Sequence, residues 1–281
     1  MNFYDDLVQI AKSALNYYHI EYTDLTEEMR IVERWVNVQL KRINPERRQI
    51  QKSPKFRTII LESVTSNALA EIEKKIIQGQ DVNPYLSKTL FVKDYTDYLF
   101  YDWGIYHLHL STAISDEGYF MNRSDQLLFI TIRKNTVYFI DVLPHNKEYV
   151  FAQKELLEII YKNWPNILEP YNLKGVNDLQ NQIEDAKEII AMRKAGLFMP
   201  RKIGNSVYAP MGGGLTTDAT GCNASEETDR LYYMAQNAMG QAEDIVRSSP
   251  GKIFDFHIKL LPSKGFCIVD QNSDLVIPIR P

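Results

Sequence analysis

Residues 102 to 111 read Asp-Trp-Gly-Ile-Tyr-His-Leu-His-Leu-Ser, and the alternation around His107 and His109 predicts a strand. On a strand, residues 107, 109 and 111 point to one face, so two imidazoles and the Ser111 hydroxyl would share a surface while Leu108 and Leu110 turn to a core. Imidazole titrates near neutral pH, which suits acid and base work, and paired imidazoles equally suit a bound metal. The hairpin that follows adds Arg123, Arg133, His145 and Lys147, with Asp141 and Tyr149 close in sequence. Phosphodiester cleavage needs a proton acceptor, a proton donor and positive charge for the developing anion, and these side chains supply all three types without a metal. His107, His109 and His145 are therefore the catalytic candidates, and Arg123, Lys147 and Arg133 the phosphate-binding ones. The deciding quantity is the separation of the three rings: at more than about 10 Å they fail as acid–base partners.

The order of elements from about Trp103 to Trp164 is a strand with a polar face, an Arg-containing strand, a hairpin strand ending in Leu-Pro-His145-Asn-Lys147-Glu-Tyr149, then a helix. This order resembles the core of the RelE/ParE toxin superfamily. The resemblance implies a small antiparallel sheet with helices. From the ribonuclease members it also implies metal-free cleavage of messenger RNA in the ribosome by basic, His, Tyr and acidic side chains. It carries over onto Arg123, His145 and Lys147. His107 and His109 stand where those toxins usually have Glu and Arg, so the resemblance assigns them nothing.

The elements that must hold these residues follow from hydrophobic periodicity. Apolar residues at helical spacing predict a helix over about 3–18, a second around Met29 to Leu40, and a third over about 59–78 that closes at Gly79. Runs around 105–111, 127–133 and 137–142, rich in aromatic and β-branched residues, read as consecutive antiparallel strands, with Lys134-Asn135 as the tight turn between the last two. Helices are expected over 155–164, about 176–193 and 226–246, and three strands over 252–261, 265–270 and 274–279. The expected class is α+β, in three parts: a helical region at 1–90, a small antiparallel sheet with flanking helices at 91–171, and an α+β unit at 172–281.

Elsewhere the signals are weaker. The loop Pro210-Met-Gly-Gly-Gly-Leu-Thr-Thr-Asp218 could cradle a phosphate with Gly213 and Thr216, or serve as a turn needing positive φ. The basic stretch Lys41, Arg42, Arg47, Arg48, Lys52, Lys55 and Arg57 could meet nucleic-acid phosphates or be a solvated connection. His19 and His257 lie in aromatic surroundings and read as structural. Cys222 and Cys267, the only cysteines, form no CxxC pair and suggest neither a disulfide framework nor zinc.

The composition, 44% hydrophobic and 24% charged, is that of a globular protein, and a net charge of −4 gives no chain-wide reason for nucleic-acid or membrane binding. The N-terminal run carries acids where a signal peptide needs basic residues, and no apolar run reaches membrane-spanning length. A cytoplasmic location without membrane contact is expected. The leading functional expectation is a nucleic-acid-directed enzyme, a metal-independent ribonuclease of toxin or phage-defence type. It would need no cofactor; its partners would be RNA or another nucleic acid, and a protein, either antitoxin-like or a second copy. Two alternatives stay open: a non-catalytic binding or regulatory protein, and a metal-dependent hydrolase using the HxH pair with Asp102 or Asp141.

Overall fold

The chain divides into two units, one of residues 41–222 and one of residues 1–40 together with 223–281. The computed structural model describes residues 2–92, 95–116, 118–262 and 264–279. Among these the fold is α+β, with eight helices and nine strands in three small sheets. The unit boundaries cut across the expected ones near 90 and 172. The reason is that the first helices bury their apolar stripes with the C-terminal strands, while the helix that follows them joins the central sheet.

In the unit of residues 41–222 the elements run β1 (Gln49–Lys52), α3 (Pro54–Arg57), α4 (Ser63–Gln78), α5 (Tyr98–Trp103), β2 (Tyr106–His109), β3 (Gln126–Arg133), β4 (Thr136–Pro144), α6 (Glu155–Asn163), α7 (Ala186–Lys194), β5 (Arg201–Ile203) and β6 (Ser206–Tyr208). The main sheet has the order β1-β4-β3-β2, antiparallel except for β1, which runs parallel to β4. Lys134 takes a left-handed conformation (φ 50°) in the turn between β3 and β4, as the two-residue connection requires.

Both faces of this sheet are covered. One carries Leu108, Leu128, Ile130 and Phe139 against Ala68, Ile72 and Ile76 of α4. The other carries Leu127, Phe129 and Ile140 against Leu99 and Trp103 of α5, Leu156 and Ile160 of α6, and Ile189 of α7. Strands buried on both sides explain why β3 and β4 read as near-continuous apolar runs. A register shift between Phe129 and Ile130 interrupts the β3–β4 ladder. Beside it, Asp141 accepts from the Val142 N–H and pairs with Lys55 of α3.

The other unit comprises α1 (Phe3–Tyr17), α2 (Glu28–Lys41, whose last residue falls to the first unit), α8 (Cys222–Ser248) and an antiparallel sheet β7-β8-β9 (Phe256–Leu261, Gly265–Asp270, Val276–Pro278). Asn2 caps α1 by accepting from the N–H groups of Tyr4 and Asp5. Asp6 ties α1 to β7: its carboxylate accepts from the Ile258 N–H at 2.7 Å and lies 2.9 Å from His257 Nδ1. Trp35 of α2 meets Phe266 of β8 edge to face.

Candidate histidine site

The approach to the histidines is a helix before it is a strand. Asp97 caps α5 by accepting from the Phe100 N–H at 3.1 Å, and Gly104, left-handed at φ 62°, ends it. Asp102 therefore sits in a helix, not on the strand expected for residues 102–111. Its carboxylate accepts from Arg193 Nε at 2.8 Å, with both side chains fully buried. Arg193 also donates through Nη1 to the Phe151 carbonyl at 2.5 Å and lies over the Trp103 ring. Burial pushes the Asp102 carboxyl up from the ordinary carboxylate range and the guanidinium beside it pulls back. Asp102 is thus the anchor of a buried ion pair that holds α5, α7 and the 150–152 turn together.

From Tyr106 the strand places His107 opposite Phe129 and His109 opposite Leu127, on one face of the sheet. The ring centroids of His107 and His109 are 6.2 Å apart, and His145 stacks on His109 at 5.8 Å with 26° between the planes. All three catalytic candidates are brought together. His145 comes from the loop after β4, pinned there by its own N–H donating to the Asp125 carbonyl at 2.8 Å. Phe151 closes over the group, 4.8 Å from His107 and 6.4 Å from His145. The shared face is accordingly no open surface: His107 and His109 are each only 5% exposed, His107 packed against the Phe151 ring and His109 against that of His145. His145 alone is half-buried.

Burial sets their protonation. The His109 ring is pushed down to about 3, first by desolvation and then by the positive charge of its neighbours His107, His145 and Arg123. His107 is lowered by burial as well, opposed by Asp97, whose Oδ2 lies 3.7 Å from His107 Nδ1. His109 Nδ1 accepts from the Ser124 N–H at 3.4 Å, which puts the proton of the neutral ring on Nε2. At neutral pH His109 is therefore a hydrogen-bond donor through Nε2–H.

His109 opens into a cavity of about 390 Å³ whose polar lining is Ser87, Lys88, Ser115, Asn122 and Arg123, with Phe120 and Met121 as its apolar side. The Ser115 Oγ is buried without a hydrogen-bond partner among the described residues. Lys88, Asn122 and Arg123 are exposed, so the cationic side of the cavity faces solvent. Of these residues only His109 and Arg123 were expected from the sequence. Ser87 and Lys88 carry no local signal, because they come from a 3-10 turn about 20 residues before the strand.

Other candidates fall elsewhere. Arg133 is at the hairpin end of β3, past the last residue that pairs with β2, donating to the Ile132 carbonyl and lying over Tyr171. It is removed from the histidines because β2 ends its pairing at Ile130. Lys147 is exposed in the turn after His145. Ser111 lies beyond β2, its hydroxyl accepting from the Ala113 N–H in a local turn. The glycine loop is no phosphate cradle, because its N–H groups are already spent: Gly212 donates to the Asp102 carbonyl, Gly214 to that of Tyr101, and Gly213 to that of Pro210. The Thr216 hydroxyl is bonded to Asp218 and to the Thr220 carbonyl. A Cβ on Gly212 would come within 1.9 Å of the Phe100 carbonyl oxygen, so the loop's glycine serves close packing on the end of α5.

The basic stretch is largely occupied within the protein. Arg48 pairs with Glu46, Lys52 with Glu73 and Lys55 with Asp141, while Lys41 is buried. Among the described residues, no three His, Cys, Asp or Glu side chains converge to hold a metal ion. The carboxylates a metal reading would recruit, Asp102 and Asp141, are engaged by Arg193 and Lys55. No helix among the described residues is long and apolar enough to cross a membrane. No family model, curated protein or solved structure compared with the chain matches it.

Proposed function

We propose that the chain is a nucleic-acid-directed phosphodiesterase, a metal-independent ribonuclease of toxin or phage-defence type, acting at the histidine site. The observation that carries this reading is the stacked His109–His145 pair beside a cavity whose other polar groups include the cations Lys88 and Arg123. The resemblance of the order of elements from Trp103 to Trp164 to the RelE/ParE pattern is a further support. In this mechanism His145, the one of the three imidazoles that reaches solvent, takes the proton from the attacking hydroxyl as its oxygen bonds to phosphorus, and the imidazolium returns that proton to the leaving oxygen as the P–O bond to it breaks. The neutral His109 donates from Nε2 to a phosphoryl oxygen, where charge develops, and Arg123 and Lys88 offset that charge. A donor that stays neutral needs no reorganisation on the way to the transition state.

The test is cleavage of a defined single-stranded RNA in the presence of a chelator. His145→Ala is expected to lower the rate by about 100-fold or more, and Arg123→Ala mainly to raise KM. Intact RNA with wild-type protein sinks the reading. A second reading, a non-catalytic binding module, draws on the deep burial of His107 and His109. It predicts RNA retained on the protein, uncut, and released by Arg123→Ala.

A further inference from the structure

The histidine group borders a second space. His107, Asp97, Lys41, Ser87, Thr89 and Tyr95 help line a pocket of about 20 Å³ that holds no room for a substrate. Its groups are incompletely satisfied. The His107 Nδ1 is buried with no hydrogen-bond partner among the described residues, 3.7 Å from Asp97 Oδ2. Lys41 is 6% exposed and lines the same pocket. Burial lowers Lys41 to about 8, and Asp97 is the acid that opposes this. A buried imidazole nitrogen without a direct bond, 3.7 Å from a carboxylate oxygen, calls for a polar bridge.

One water fits both the volume and the inventory. A cavity of about 10–15 Å³ accommodates one, and buried waters typically make about three hydrogen bonds. Here the water would accept from the Lys41 ammonium and from His107 Nδ1–H, and donate to Asp97 Oδ2. We propose that this pocket is a one-water site through which Lys41 and Asp97 act as positioning residues, holding His107 in the neutral tautomer protonated on Nδ1. That leaves His107 Nε2 as an acceptor within the histidine group. The charged and titratable groups facing His107 are Asp97, Lys41, Tyr95 and Tyr106 around the pocket, with His109 and His145 in the ring cluster. The catalytic consequence rests on the ribonuclease reading, whereas the tautomer does not.

The experiment is nitrogen NMR on the full chain labelled in its imidazole rings, with His107 assigned by loss of its signals in His107→Gln. Wild-type protein is expected to show His107 protonated on Nδ1 alone at neutral pH. Asp97→Asn keeps an N-capping side chain for α5 but removes the charge, and Lys41→Met removes the ammonium. Each is expected to turn His107 into a tautomer mixture or shift its proton to Nε2, and to lower kcat for RNA about tenfold with KM unchanged. Should either variant lose its folded spectrum, Asp97→Ser, which also caps, and Lys41→Gln take their places. An unchanged tautomer in folded variants at both positions overturns the proposal. A tautomer that responds in a protein that cuts no RNA leaves the positioning assignment standing and removes the ribonuclease reading.

Discussion

The two units each hold a histidine at a structural junction, and the two respond to protons in opposite directions. In the sheet unit His109 is enclosed by its neighbours, and burial with nearby positive charge lowers it to about 3. In the other unit His257 is more than a third exposed, and its hydrogen bond to Asp6 raises it above the ordinary imidazole value. Burial decides the first and a carboxylate partner the second. A deeply enclosed imidazole is kept neutral and aimed, whereas a paired surface imidazole is a charge-dependent fastening between α1 and β7.

The largest effect should come from the enclosure itself. Arg193→Met leaves Asp102 as an uncompensated buried charge and is expected to cost about 3–5 kcal/mol in urea unfolding of the sheet unit. Trp103 and Trp164 report on that unit and Trp35 on the other, so their fluorescence separates the two. Gly212→Ala should cost somewhat less, about 1–3 kcal/mol, by forcing the loop off the end of α5.

The pH dependence tests the comparison most directly. Because His109 has a lowered folded value, its unfolded form binds more protons below about pH 6.5. Stability of the sheet unit should therefore fall as pH drops from there toward 3, with a slope that His109→Phe flattens. For His257 the sign reverses: its contribution is complete below about pH 6.5 and disappears as pH rises through the raised folded value. Asp6→Asn should remove the larger part of this, Asp255 supplying the rest, and, as the His257 ring is more than a third exposed, cost only about 0.2–1 kcal/mol. An Asp6→Asn loss as large as that of Arg193→Met would break the comparison.

Much of this arrangement was legible in the sequence. Alternation located β2, β3 and β4, the Lys134-Asn135 turn joined two of them, and the three C-terminal strands were visible in the same way. The residue types that meet at the site, His107, His109, His145 and Arg123, were also identifiable. What alternation cannot show is the layer covering a face: it placed the histidines on one side of a strand, but Phe151 and α6 decide that this side is buried. Strand β1 escaped notice because Gln-Ile-Gln-Lys has little strand propensity and its pairing partner is β4, far along the chain. Helix α7 begins only at Ala186, where Asp185 caps it, because the Asn- and Asp-rich stretch before it favours turns. Lys41 and Asp97 were invisible as site neighbours, since nothing local to either points to His107.

The discontinuity of the second unit has a consequence for how the protein is made. Helices α1 and α2 leave the ribosome before the sheet unit, yet the strands β7 and β8 that receive Asp6 and Trp35 are translated only after the whole of residues 41–222. The sheet unit can close during synthesis while the opening helix pair waits with its apolar stripes uncovered. At typical elongation rates of about 5–20 residues per second, that interval lasts on the order of ten seconds or more. A nascent chain from which residues 41–222 have just emerged would thus carry a closed sheet unit beside helices α1 and α2 still lacking their strands, the form in which chaperones would meet it.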